Sequence, residues 1–187
     1  MSGAQGQPGL PGLPGRAMLV LGLLIVLVDL RFNGFDIVSD PVGWVLAMVV
    51  LLGLARRHTG FAVAAASAIA GTFVSLCTVL SEPGTVLSVV EGVALTGVVF
   101  GTCTALIALA LSPTDRRAAD IIRWLDLGLT VLSLLAAGTA GDETVQVGGA
   151  AGLLVVIGVM AAIVTVVWFL VVVWRVELRP EPATALG

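Results

Sequence analysis

The stretch from Asp29 to Trp44 gathers most of the side chains in this chain that could do chemistry: Asp29-Leu30-Arg31-Phe32-Asn33-Gly34-Phe35-Asp36-Ile37-Val38-Ser39-Asp40-Pro41-Val42-Gly43-Trp44. Three carboxylates, Asp29, Asp36 and Asp40, stand beside one guanidinium, Arg31, and one carboxamide, Asn33. A carboxyl group held at a membrane boundary with a raised pKa can act as a general acid. Ionised, the same groups can bind a cation. Arg31 can instead clamp one acid in a two-pronged pair and do no more than pin the loop. Asn33-Gly34 is a turn dipeptide. Ser39-Asp40-Pro41 starts a helix, with Asp40 as N-cap and Pro41 at the first position. Trp44 suits a membrane interface. Glu91 lies a few residues into a later hydrophobic segment, where it either snorkels to the interface or meets this hairpin. Asp29, Arg31, Asn33, Asp36, Asp40, Trp44 and Glu91 therefore form the candidate polar pocket.

Little else in the sequence invites catalysis. His58 is the one histidine, and it follows Arg56-Arg57 at the edge of a hydrophobic run, a place for a solvated side chain. There is no Gly-rich phosphate loop, Ser-His-Asp set or metal-ligand cluster, so no cofactor or metal is expected. Cys77 and Cys103 sit inside hydrophobic runs without a CxxC spacing and read as small buried hydrophobes. Only 11% of the residues are charged, which argues against nucleic-acid binding.

The elements that must position the pocket are set by hydrophobicity. The chain has 187 residues, 58% hydrophobic, and a mean hydropathy of +1.12. Soluble domains carry about 25% charged residues, so bilayer is the natural solvent. Runs such as 153–173 do not alternate as barrel strands do, and helices satisfy their own backbone in lipid. The expectation is an all-α, polytopic integral membrane bundle of six helices, at about 16–32, 41–55, 60–80, 86–111, 124–140 and 148–174. Residues 16–175 form one transmembrane domain. Residues 1–15, with Gly-x-Pro triplets too few for a triple helix, read as a flexible, disordered tail, and 176–187 as a second tail.

The first two segments have short apolar centres. They either span with polar ends drawn into the membrane or form a re-entrant hairpin packed on protein. With six alternating spans, Arg16, Arg56, Arg57, Arg116, Arg117, Arg123, Arg175 and Arg179 share one side and Arg31 alone takes the other. That asymmetry places both termini in the cytoplasm. The outer side collects Asp29, Asp36, Asp40, Glu82, Glu91, Asp142 and Glu143, an arrangement that attracts cations and disfavours anions from outside.

Two further features concern packing. Ala62, Ala66 and Ala70 recur every fourth residue, as do Ser67, Gly71 and Ser75, and Gly97 and Gly101. That spacing suits close helix approach within the chain or between protomers. Between the fourth and fifth segments, Ser112 can cap a helix with Pro113 at its first position. Arg116–Asp120, Asp120–Arg123 and Arg123–Asp126 fall at helical contact spacings, and this link reads as an interfacial turn into the fifth helix.

The first hairpin resembles that of a group of uncharacterised small membrane proteins from Gram-positive bacteria. Their pattern is D-x-R-x-N-G-F-D, then x-x-x-D-x-x-G and an aromatic. Asp29, Arg31, Asn33, Gly34, Phe35, Asp36, Asp40, Gly43 and Trp44 match it. Those proteins often carry proline before the last aspartate, where this chain has Ser39. The resemblance covers residues 17–55; it implies that the hairpin is a module of a bacterial plasma-membrane protein and implies no activity.

Three functions fit this inventory. The first is an accessory or scaffold component, acting through helix packing with a partner membrane protein or as a homo-oligomer. The second is a small permease or channel subunit for a cation or polar solute. The third is an intramembrane enzyme, of isomerase or cyclase type, acting on a lipid or terpenoid through carboxylic acids near the outer boundary. Membrane lipids, and with the third reading an apolar small molecule, are the partners expected; the sequence leaves open whether the chain is an enzyme.

Overall fold

The computed structural model describes residues 13–27, 31–32, 35–36, 40–80, 85–140 and 149–176. They form six helices and one minimal ladder: α1 (Leu13–Leu27), β1 (Arg31–Phe32), β2 (Phe35–Asp36), α2 (Asp40–Leu54), α3 (Thr59–Leu80), α4 (Thr85–Leu109), α5 (Pro113–Ala140) and α6 (Gly149–Arg175). Thr59–Leu80, Val86–Leu109 and Gly152–Arg175, of 22, 24 and 24 residues, are long and apolar enough to cross a membrane. At about 1.5 Å per residue each exceeds a hydrocarbon core of about 30 Å. These are features of a helical membrane protein. α1 and α2 have 15 residues each, which leaves them short of that thickness, as their apolar centres imply.

Consecutive helices pack antiparallel, most extensively α3 against α4 and least where α6 meets α5 and α1. The crossings are set by glycine. A methyl group on Gly60 would sit 2.6 Å from the Gly101 carbonyl oxygen, and one on Gly101 would sit equally close to that of Gly60. Gly22 and Gly43 bring α1 and α2 together in the same way. Such contacts need a residue without a Cβ, because backbone meets backbone. Gly97 faces Ser67, so much of the small-residue spacing is used within the chain. The exception is Ala62, Ala66 and Ala70, which lie exposed on α3.

The loop between α2 and α3 is closed by His58, whose Nδ1 accepts a hydrogen bond of 3.0 Å from the Gly60 N–H. It caps α3, serving a donor that the first turn cannot satisfy internally; it is half-buried rather than solvated. Cys103 is fully buried in the core and Cys77 half-buried.

α5 differs from the segment that hydropathy marks. Its helix begins at Pro113 and not near residue 124. The Arg116 N–H donates to the Ser112 carbonyl at 3.2 Å, and Arg123 pairs with Asp120 at 2.6 Å. Charged i,i+3 pairs and a proline start make the polar link helical, although an apolar window cannot register it. At the same end of the bundle Arg175, closing α6, reaches Asp115 at 2.7–2.9 Å, and Arg116 Nε donates to the Ala110 carbonyl at 2.8 Å. Arg56, Arg57, Arg116, Arg117 and Arg175 all belong to this end.

Candidate functional site

The ladder pairs Arg31 with Asp36 and Phe32 with Phe35, leaving two positions between the strands, as a tight hairpin requires. Asn33 and Gly34 occupy those positions and lie outside the described residues, as does Asp29. Backbone positions alone are described for Arg31, Asp36 and Asp40; Asp40 is the first residue of α2, and its expected capping bond falls outside the described side chains. The clamp expected of Arg31 thus falls outside the described side chains.

The remaining two members of the pocket do meet. Trp44 Nε1 donates to Glu91 Oε1 at 3.0 Å, joining α2 to α4. Trp44 is fully buried, with its indole against Gly71 of α3, where a Cβ would lie 2.6 Å from the ring. Its indole N–H needs an acceptor once buried, and Glu91 supplies one while remaining half-exposed. Trp44 is therefore a bolt through three helices rather than an interfacial ring.

A cavity of about 620 Å³ lies elsewhere, between α4, α5 and α6, with Leu24 of α1 at its edge. Its wall is mostly Val, Leu, Ile, Gly and Ala, and four hydroxyl-bearing residues, Ser88, Thr96, Thr130 and Ser133, also face it. Asp126 is the one ionisable residue among the described lining, half-buried on α5. Thr96 is its hydrogen-bonding neighbour, and Thr96 and Thr130 share a hydrogen bond of 2.6 Å in which either hydroxyl can donate. Asp126 Oδ2 is buried without a partner.

The Arg123–Asp126 pairing that helical spacing allows is not made. Arg123 turns to Asp120 instead, with its guanidinium carbon 5.3 Å from the Phe100 ring centroid and 5.1 Å from that of Trp124. Those rings meet edge-on at 6.2 Å. Both aromatics hold the cation through their ring faces. Asp126 is thereby left to the cavity, near the midpoint of α5 and level with the midpoints of α4 and α6.

Sequence reasoning used Asp126 only as a partner for Arg123 at the start of the fifth segment and passed over the threonines. The signal was present as periodicity: Asp126, Thr130 and Ser133 recur at i, i+4 and i+7, and Ser88, Gly92 and Thr96 at i, i+4 and i+8. Each set is a polar or small stripe on one side of a helix. Among the described residues no group of His, Cys, Asp and Glu side chains could hold a metal ion. No protein-family model matches the chain, and no curated protein or solved structure matches it.

Proposed function

We propose that this chain is a six-span membrane protein that takes a single apolar or amphiphilic molecule from the bilayer into the α4–α5–α6 cavity. The observation that carries the reading is the cavity itself: about 620 Å³ of mostly apolar wall around one carboxylate and a threonine pair. Small-molecule sites typically span about 300–1,000 Å³, apolar with a few convergent polar groups. Membrane helices seldom carry an acid without a partner or a role, because the charge is costly there. The third reading of the sequence, chemistry on a lipid or terpenoid, fits this site better than the first hairpin, with Asp126 as the acid. A hydrated cation, the second reading, finds too few oxygen ligands on these walls. The accessory reading retains one observation, the outward-facing Ala62, Ala66 and Ala70, which could seat a second copy or a partner.

For orientation we infer both termini in the cytoplasm, from the arginines gathered at one end of the bundle. Cysteines introduced at Ser2 and Ala183 in a Cys-free background should then resist impermeant thiol reagents in intact cells, while one at Thr144 labels. Labelling of both termini from outside would refute the six-span, N-in arrangement.

The cavity has a direct test. Gly92 lines it, and a Cβ built there meets nothing within 4 Å, so Gly92→Trp starts a large side chain at the cavity wall from an open backbone position. Protein extracted with its surrounding lipid in polymer nanodiscs should carry an apolar species that is depleted in Gly92→Trp. Identical small-molecule profiles for the two proteins would remove the reading.

A further inference from the structure

The charge balance of the wall narrows what the cavity would hold; the argument rests on the binding reading above. Asp126 brings a carboxylate with Thr96 as its hydrogen-bonding neighbour, and Thr96 and Thr130 bring hydroxyl oxygens already linked to each other. Among the described lining there is no arginine, lysine or histidine. Arg123, the nearest base on α5, is held by Asp120, Phe100 and Trp124. A phosphate or carboxylate head would therefore face a like charge with no base among the described lining to offset it, an arrangement that selects against such partners. Asp126 is the one charge among the described lining, and a hydrogen-bond donor is the group that would complement it. A cationic donor would also supply the missing counter-charge and make the stronger, charge-assisted bond.

The walls on either side carry the rest of the argument. Leu129 and Leu134 of α5 face Ile163, Val166 and Val167 of α6 across the space. Toward the end away from the arginines, Val131–Ala136 of α5 and Leu153–Ile157 of α6 are exposed. An acyl or isoprenoid chain can lie along this apolar seam and reach the bilayer, with its head at the level of Asp126. We propose that the cavity selects a long-chain amine, whose protonated nitrogen docks on Asp126 and the Thr96–Thr130 pair while its hydrocarbon chain lies along α5 and α6.

Three chain-matched photoactivatable hexadecyl probes, an amine, an alcohol and a carboxylic acid, test this in nanodiscs, with labelled residues mapped by mass spectrometry. The amine should label Leu129, Ile163 and their neighbours about tenfold or more above the acid, the difference a charge-assisted hydrogen bond makes. Asp126→Asn should bring amine labelling down to the level of the alcohol, and Asp126→Glu should retain the preference. Acid labelling equal to amine in the wild-type protein overturns the proposal and leaves the binding reading standing. So does alcohol labelling equal to amine with no response to Asp126→Asn. If none of the three labels the cavity, the proposal and the binding reading fail together. The wild-type comparison needs no variant to fold.

Discussion

The two halves of the bundle are built to different tolerances. In α1–α4, backbone touches backbone at Gly22–Gly43 and Gly60–Gly101, and Trp44 fills the space between α2, α3 and α4 with no exposure. In the second half α6 stands apart, with smaller contacts to α5 and α1; it is buried mainly at its Phe169–Val176 end, and Asp126 faces a cavity. The same composition of Gly, Ala, Val and Leu supports both. What separates them is what the described glycines meet: in α1–α3 all but Gly53 press on a neighbour, whereas Gly92, Gly128 and Gly158 of the second half meet nothing. On the function proposed above, the tight half is the frame and the loose half holds the site.

This contrast makes the frame costly to perturb. Trp44→Ala empties a fully buried site and should destabilise by about 3–5 kcal/mol in a detergent melt. Gly71→Ala pushes a methyl into the Trp44 ring and should cost about 1–3 kcal/mol through overpacking. Trp44→Phe keeps the ring stack but leaves Glu91 without its donor, and about 1 kcal/mol is expected because Glu91 retains access to water. A Gly71→Ala protein that melts with wild type would mean that α2 and α3 can slide apart freely, and the division into frame and site would lose its basis.

The same contrast makes the loose half forgiving. Asp115–Arg175 joins α5 to α6 with the arginine half-exposed and Asp115 buried, so Arg175→Ala should cost about 1–3 kcal/mol, less than emptying the Trp44 site. Asp126→Asn removes a charge that has few partners, and the melt should stay within about 0.5 kcal/mol of wild type or rise, as neutralising a functional group commonly does. A loss of several kcal/mol on Asp126→Asn would instead make this carboxylate part of the frame.

How far the sequence led differs between the halves in the same way. Helix number and the short first pair follow from lengths of apolar runs, which report burial in lipid directly. The meeting of Glu91 with the first hairpin was legible, because an acid near a boundary and an indole near the same boundary are placed at one level by helix length. Trp44 itself was misjudged, since hydropathy does not distinguish an interfacial ring from one locked against Gly71. Asp126 was read as a partner of Arg123 at the start of the fifth segment, whereas the helix begins at Pro113 and carries Asp126 to its middle. Depth along α5 depends on where that helix starts, and its start is fixed by Ser112-Pro113 and not by the apolar window.

Among the described glycines four meet nothing within 4 Å at a built Cβ, Gly53, Gly92, Gly128 and Gly158, and Gly92 alone among them lines the cavity. Replacing each in turn with tryptophan and asking for complementation of whatever phenotype deletion of the gene produces compares equal volumes at equally open sites. Gly53→Trp, Gly128→Trp and Gly158→Trp should restore the phenotype, while Gly92→Trp, folded and inserted to the same level, should not. Full complementation by Gly92→Trp would contradict the assignment of function to the α4–α5–α6 cavity.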